Sequence, residues 1–320
     1  MLTVGEGSDA EVREVIGDVA GIVRSVGFRV PDGGLTCVVG IGAGAWERLF
    51  GLPRPRELHP LKEVAGPAHT AVSTPGDLLF HIRAHRFDLC FELAQRLMDR
   101  LRGHAIVVDE VHGFRSFDLR DVLGFVDGTE NPAGQAASAA VEVAADDPDF
   151  EGGSYVLVQK YVHDLGSWDA ISVEEQERVI GRLKLSDIEL PDDLKPANSH
   201  VALNTIIDED GDQQQIVRYN MPFGRVGEAE YGTYFIGYSR SPNVLEQMLT
   251  NMFVGSPPGN YDRILDFSTA LTGQLFFVPT VDLLENPSEP QPAPSQAVGE
   301  PFKERHPQGS LGLGSLKRAT

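Results

Sequence analysis

The chain is poor in cysteine, in basic residues and in long apolar runs, and each shortage removes a class of function. Only two cysteines occur in 320 residues, Cys37 in LTCVVG and Cys90 in FDLCFEL. Both lie in apolar runs and read as buried structural thiols, so no disulfide framework is implied. No C-x-x-C pair is present for zinc or for covalent haem attachment. Lys and Arg number 27 against 47 Asp and Glu, a formal charge of −20. Nucleic acids and anionic membranes are polyanions and are repelled by such a surface. The start, MLTVGEGSDAEVREV, has no basic cluster ahead of an apolar stretch, and no run reaches membrane-spanning length. A cytoplasmic setting is expected. The phosphate loop G-x-x-x-x-G-K-[ST] and the elbow G-x-S-x-G are both missing, which leaves P-loop and serine-hydrolase chemistry without support.

What is present is a 41% hydrophobic chain, long enough for two domains or one large one. Val12, Val15, Ile16, Val19, Ile22 and Val23 recur at helical spacing behind a capping-box pattern at Ser8 and Glu11, predicting a helix over 9–25. Strands are predicted over 35–42, 77–84 and 104–114, with helices from AWERLFG and over 87–103. Residues 133–150 show no period and read as an exposed connection. A second set follows: strands over 154–162, 215–224, 232–239 and 273–281, a helix led by Trp168, and a helix over 243–255. Both halves run strand, Trp-led helix, strands, long helix, which fits α+β better than strict alternation. The expected division is 1–145, 146–284, a Pro-rich linker over 285–307 and a terminal peptide over 308–320.

Three patterns invite chemistry. GIGAGA (40–45) matches the dinucleotide fingerprint G-x-G-x-x-A, but the region where its acidic strand should end is the proline-rich GLPRPRELHPLKE. A tight strand-to-helix turn is the expected use. His81 and His85 have the spacing of metal ligands but straddle a strand end, and they read as packing or surface histidines. The third is GFVDGTENP (124–132) together with IVRYN. Arg218 and Asn220 are two apart on a predicted strand and so share one face with Ile216. On pattern alone this reads as a buried Arg218–Asp127 ion pair, with Asp127 shaping a D-G turn.

GFVDG resembles the G-x-x-D-G motif of dye-decolorizing peroxidases, and IVRYN-x-PFG and YFIGYSRS resemble that family's later motifs, in the order of its B-type members. The resemblance spans about residues 20–284 and implies two ferredoxin-like α+β domains, with non-covalent haem b held mainly by the second. It carries the iron's axial ligand to His200, the one histidine between His163 and His306, and that ligand's acid partner to Asp262. It puts Asp127, Arg218 and Asn220 on the catalytic side, with Phe235 as an apolar wall and Gly128 and Thr129 beside the haem. The glycines would let the backbone carry Asp127 over the iron. There a carboxylate can move a proton between the oxygens of hydrogen peroxide while Arg218 stabilises the charge on the leaving oxygen. Trp168, Tyr161 and Tyr219 are candidates by type for passing electrons from bulky donors.

The tail, GSLGLGSLKRAT, follows a Pro-rich stretch and has regularly spaced leucines, Leu311, Leu313 and Leu316. By pattern it is either a frayed end or a docking peptide on a leash. It resembles the targeting peptide by which some of these peroxidases enter encapsulin nanocompartments, which implies an encapsulin shell as partner. The resemblance also implies a homo-oligomer, a dimer or a hexamer. A haem-handling protein that releases iron, as a deferrochelatase does, is the alternative function. A nucleotide-dependent oxidoreductase using GIGAGA is a third.

Overall fold

The structure is a computed structural model and describes residues 1–286. The expected terminal peptide and all of the expected linker from residue 287 lie outside the described residues. The first half runs β1 (Leu2–Val4), α1 (Asp9–Gly27), β2 (Thr36–Gly42), α2 (Ala43–Phe50), the hairpin of β3 (Val64–Ala65) and β4 (Thr70–Ala71), β5 (Leu78–Arg83), α3 (Phe87–Leu101) and β6 (Ala105–Val107). A crossing segment carries α4 (Gln135–Val141). The second half runs β7 (Ser154–His163), α5 (Leu165–Asp169), α6 (Val173–Ile180), α7 (His200–Asn204), β8 (Ile206–Ile207), β9 (Gln213–Gln214), β10 (Val217–Arg218), β11 (Met221–Arg225), β12 (Glu230–Ser239), α8 (Pro242–Phe253), β13 (Ser268–Val278) and α9 (Val281–Glu285).

One antiparallel sheet joins both halves in the order β10-β12-β7-β13-β2-β5-β1-β6, with β11 also beside β12. Within each half the strands stand fourth, first, third, second, as β6-β1-β5-β2 and β13-β7-β12-β10. Each half is therefore ferredoxin-like, and the fold is α+β as expected. The helices form because their apolar residues fall on one stripe. Val12, Val15, Ile16 and Val19 are buried on α1, and Leu89, Leu93, Leu97 and Leu101 on α3. The halves meet where Phe276 pairs with Gly42 and Phe277 with Ile41. Here GIGAGA finds its use. A Cβ on Gly42 would stand 2.4 Å from the Gly76 carbonyl oxygen, and one on Gly40 would stand 2.9 Å from Phe276 Cβ. The glycines admit close strand contacts at the seam rather than a phosphate.

Several elements differ from the sequence expectation. The strand expected over 104–114 ends at Val107, because its partner β1 is only three residues long. Residues 133–150 are not simply an exposed connection. Val141, Val143 and Phe150 are buried, and Ala137 and Ala140 pack against the sheet face that bears Val156 and Phe276. Ser8 makes no side-chain cap, whereas Ser172 Oγ accepts from Glu175 N as expected. The strand expected over 215–224 breaks at Tyr219–Asn220 without losing register. Cys37 and Cys90 are partly buried and unpaired, and burial pushes the Cys37 thiol up to about 12.

Candidate active site

Asp127 is placed by a nine-residue hairpin. Leu119 O accepts from Asp127 N (3.0 Å), Arg120 bridges Val126, and Asp121 N donates to Phe125 O (2.9 Å). The turn closes with Gly124 N donating to Asp121 O, and Gly124 has φ +91°. Gly128 has φ +79°, so both motif glycines occupy the left-handed region that side chains disfavour. Trp168 Nε1 donates to Leu123 O (3.0 Å), tying α5 to the hairpin turn. Trp168 and Tyr161 are both buried, so neither reaches the surface as an electron-transfer residue would. Tyr219 is partly exposed.

The break in the β10–β11 strand explains Asn220. Tyr219 N donates to Ile236 O, but Ile236 N donates to the Asn220 side-chain oxygen rather than to a backbone carbonyl (3.1 Å). The amide thus serves as a rung of the sheet, which settles which way it faces. Its nitrogen is left to donate to Asp127 Oδ1 (3.1 Å). Arg218 is held by Asn131, whose side chain accepts from Arg218 N (2.9 Å) and donates to Arg218 O (2.7 Å). One segment therefore supplies Asp127 and clamps the strand that carries Arg218 and leads to Asn220. Among the described residues Arg218 has no ion-pair partner, so the Arg218–Asp127 salt bridge that spacing alone suggested does not form.

A second group lies on the helices. Ser199 caps α7, and His200 is that helix's first residue. His200 Nδ1 lies 2.7 Å from Asp262 Oδ2, and Asp262 is fully buried. A carboxylate only accepts, so Nδ1 carries the proton and Nε2 makes no hydrogen bond among the described residues. Burial works against the imidazolium, but the Asp262 charge and hydrogen bond outweigh it and raise the His200 pKa. Asp262 also accepts from Ile264 N (3.0 Å), and Asn204 Nδ2 donates to His200 O (2.8 Å).

Both groups line one cavity, walled by apolar side chains such as Phe235, Ile216 and Met248. Gly128 and Thr129 line it too, with the Thr129 hydroxyl donating to Asp187. On β12, Thr233 and Phe235 face the cavity while Tyr234 and Tyr238 face the other core, as strand alternation predicts. Asp262 itself stands behind His200. Sequence reasoning passed over Asn131, Asp121, Gln159 and His163. Of these, only Asn131 was signalled, by its place at the end of the motif. His163 bonds Ser268 Oγ (2.7 Å) and Thr233 Oγ1 (3.0 Å). His81 pairs with Tyr238 OH (2.7 Å) and His85 with Asp32 O (2.9 Å), the packing and surface roles expected. Glu130 is engaged by Arg182.

The donor set suits an iron cofactor. A lone imidazole nitrogen borders the cavity, backed by a buried carboxylate. Two buried donors, Arg218 Nε and Gln159 Nε2, have no partner among the described residues, and both residues line it. Buried donors without partners imply an acceptor-bearing occupant.

Comparison with known proteins agrees. Residues 9–115 match the family model described as Dyp-type peroxidase, N-terminal, and 118–283 match Dyp-type peroxidase, C-terminal. A dye-decolorizing peroxidase of Rhodococcus erythropolis is 62% identical over 320 residues, covering 100% of this chain and 93% of that protein. DyPB from Rhodococcus jostii RHA1 superposes with a TM-score of 0.88 at 58% identity, covering 89% of this chain and 92% of that one. Variants of that protein at an aspartate and an arginine have been solved in complex with heme, and one at an asparagine in complex with manganese. The encapsulated DyP-type peroxidase from Mycobacterium smegmatis gives a TM-score of 0.88 at 60% identity, covering 91% of this chain and 94% of that one. An Escherichia coli deferrochelatase is 25% identical over 250 residues, covering 66% of this chain and 58% of that protein. With both family models matched across the two halves, the chain belongs to the dye-decolorizing, Dyp-type peroxidase family.

Proposed function

We propose that this chain is a haem b peroxidase that holds one non-covalent haem in the cavity, reduces hydrogen peroxide and oxidises dyes, phenolics or other one-electron donors. The observation that carries the reading is the convergence on one cavity of a carboxylate-backed imidazole and an Asp–Arg–Asn group. The substituted aspartate, arginine and asparagine of the Rhodococcus jostii protein are separated in sequence as Asp127, Arg218 and Asn220 are here, which supports the assignment.

His200 Nε2 would hold the iron, and Asp262 would keep that ring oriented and electron-rich. Haem, when bound, supplies the iron that takes up peroxide and accepts its two oxidising equivalents. Asp127 takes a proton from the nearer peroxide oxygen and returns it to the farther one. The Asn220 N–H on Asp127 Oδ1 leaves the second carboxylate oxygen for that transfer. Arg218, held by its backbone and without a carboxylate partner among the described residues, directs its permanent charge at the oxygen that departs as water. Phe235 supplies part of the apolar wall.

Iron release from haem is the weaker alternative, because the peroxidase relative is 62% identical and the deferrochelatase 25%. The reading extends to packaging inside an encapsulin shell through residues 308–320, supported by the encapsulated Mycobacterium smegmatis relative. The reading also includes a homo-oligomer, a dimer or a hexamer. The deciding test is stopped-flow spectroscopy of the haem-loaded protein mixed with peroxide. D127A and R218L should each bind haem and slow the peroxide step by about 10²-fold. Unchanged rates in both would overturn the site assignment.

A further inference from the structure

The hairpin that carries Asp127 carries a second acid. Asp121, Leu123, Phe125 and Asp127 alternate along it, and all four line the cavity. Asp121 Oδ1 accepts from Phe125 N (3.0 Å), while the Asp121 backbone pairs with Phe125 O and Gly124 N. Its carboxylate thus closes the turn two residues ahead of Asp127. The chain enters this hairpin through Asp118 and Leu119, with φ +51° and +62°. Consecutive left-handed residues that are not glycine are strained and persist only where surrounding bonds over-determine them. Here the Asp121 clasp, Arg120 Nη1 on Gly124 O (2.8 Å) and Trp168 on Leu123 O do so.

Resting on the function proposed above, we propose that Asp121 is a positioning residue for Asp127, which clasps its hairpin and governs its charge. No cation pairs with Asp121 among the described residues. Arg120, its neighbour in the hairpin, is committed to the carbonyls of Gly124, Lys184 and Leu185. Lys184, from the facing loop, donates to Gln176 Oε1 and lies 5.5 Å from the Phe125 ring centroid. Asp127 is the charge Asp121 does feel. Burial first, and then the Asp127 charge, push the Asp121 carboxyl up to about 7, against the backbone N–H groups of residues 123–125. Below that pH the Asp121 carboxyl holds its proton and adds no charge beside Asp127. Above it, Asp121 adds a negative charge to the same cavity wall, which disfavours delivery of the transferred proton to the departing oxygen.

The test pairs kinetics with infrared spectroscopy of carboxyl groups in the haem-loaded protein without peroxide. The wild type should show a carboxylic acid signal titrating near neutrality, lost in D121N and moved to lower pH in D127N. D121N keeps the acceptor for Phe125 N but not the charge. Its ratio of alkaline to acid peroxide rate should rise by about tenfold. D121A, which also loses the acceptor, should be slowed at every pH. An absent signal, or one that titrates alike in D127N and wild type, overturns the proposal. So does a wild-type pH profile in D121N. Both leave the Asp127 assignment standing, which falls only if D127A itself keeps the wild-type rate.

Discussion

Asn220 shows how much one side chain can settle. Its oxygen completes the sheet and its nitrogen meets Asp127, so its orientation is a property of the fold rather than of the solvent. Asp262 does the same for His200 from a fully buried position. Asp262→Asn should weaken haem retention by about tenfold or more, read as faster haem transfer to apomyoglobin. Transfer at the wild-type rate would detach Asp262 from the ligand. Two other buried histidines set the acid limit of stability. Burial lowers His163 from 6.5 to about 4, and burial with the Arg83 charge lowers His81 from 6.5 to about 3. The unfolded chain therefore binds more protons at these sites below 6.5, and stability is lost as pH falls towards the folded values. Asp121 acts oppositely between 3.8 and about 7, where the folded state holds the extra proton. Two histidines outweigh one aspartate, so Tm should drop between about pH 6.5 and 4, and His163→Gln should flatten that drop. A pH-independent Tm would contradict the burial of both rings.

Among elements, the Asp127 hairpin and the broken β10–β11 strand are one device, joined by the Asn131 amide. Asn131→Ala removes two hydrogen bonds to Arg218 and leaves that backbone unsatisfied. A loss of about 1–3 kcal/mol in stability is expected, with a slower peroxide step. Lower stability with an unchanged rate would reduce Asn131 to a structural role. Much of this device was legible in the sequence. The glycines around Asp127 marked a left-handed turn, and the two-residue spacing of Arg218 and Asn220 put them on one face. The strand break was not legible, because the apolar alternation continues across Tyr219 and Asn220 with no glycine or proline to mark it. Nor was α7, whose five residues are too short for a helical period to show. Asp121 carried no local signal, since its role depends on a cavity built by residues far away in sequence.

At the scale of the molecule, the α+β class and the resemblance of the two halves could be read from element order. Their union into one sheet could not, because the seam is two pairs long and its signal lies in glycines that resemble a nucleotide motif. The described chain ends with α9 packed on α1, where Leu284 is buried. No residue of α1 or α9 lines the cavity. Deleting residues 308–320 should therefore abolish loading into a co-expressed encapsulin shell and leave peroxidase turnover within about twofold. Loading of the truncated chain would exclude the tail as the address. The same geography divides the sequence into two kinds of territory. Among the described residues, all that line the cavity come from Asp121 or later, so the first 120 positions act as a buttress. Substitutions among them should therefore act on stability, through the seam glycines and the apolar stripes of the helices, before they act on the chemistry.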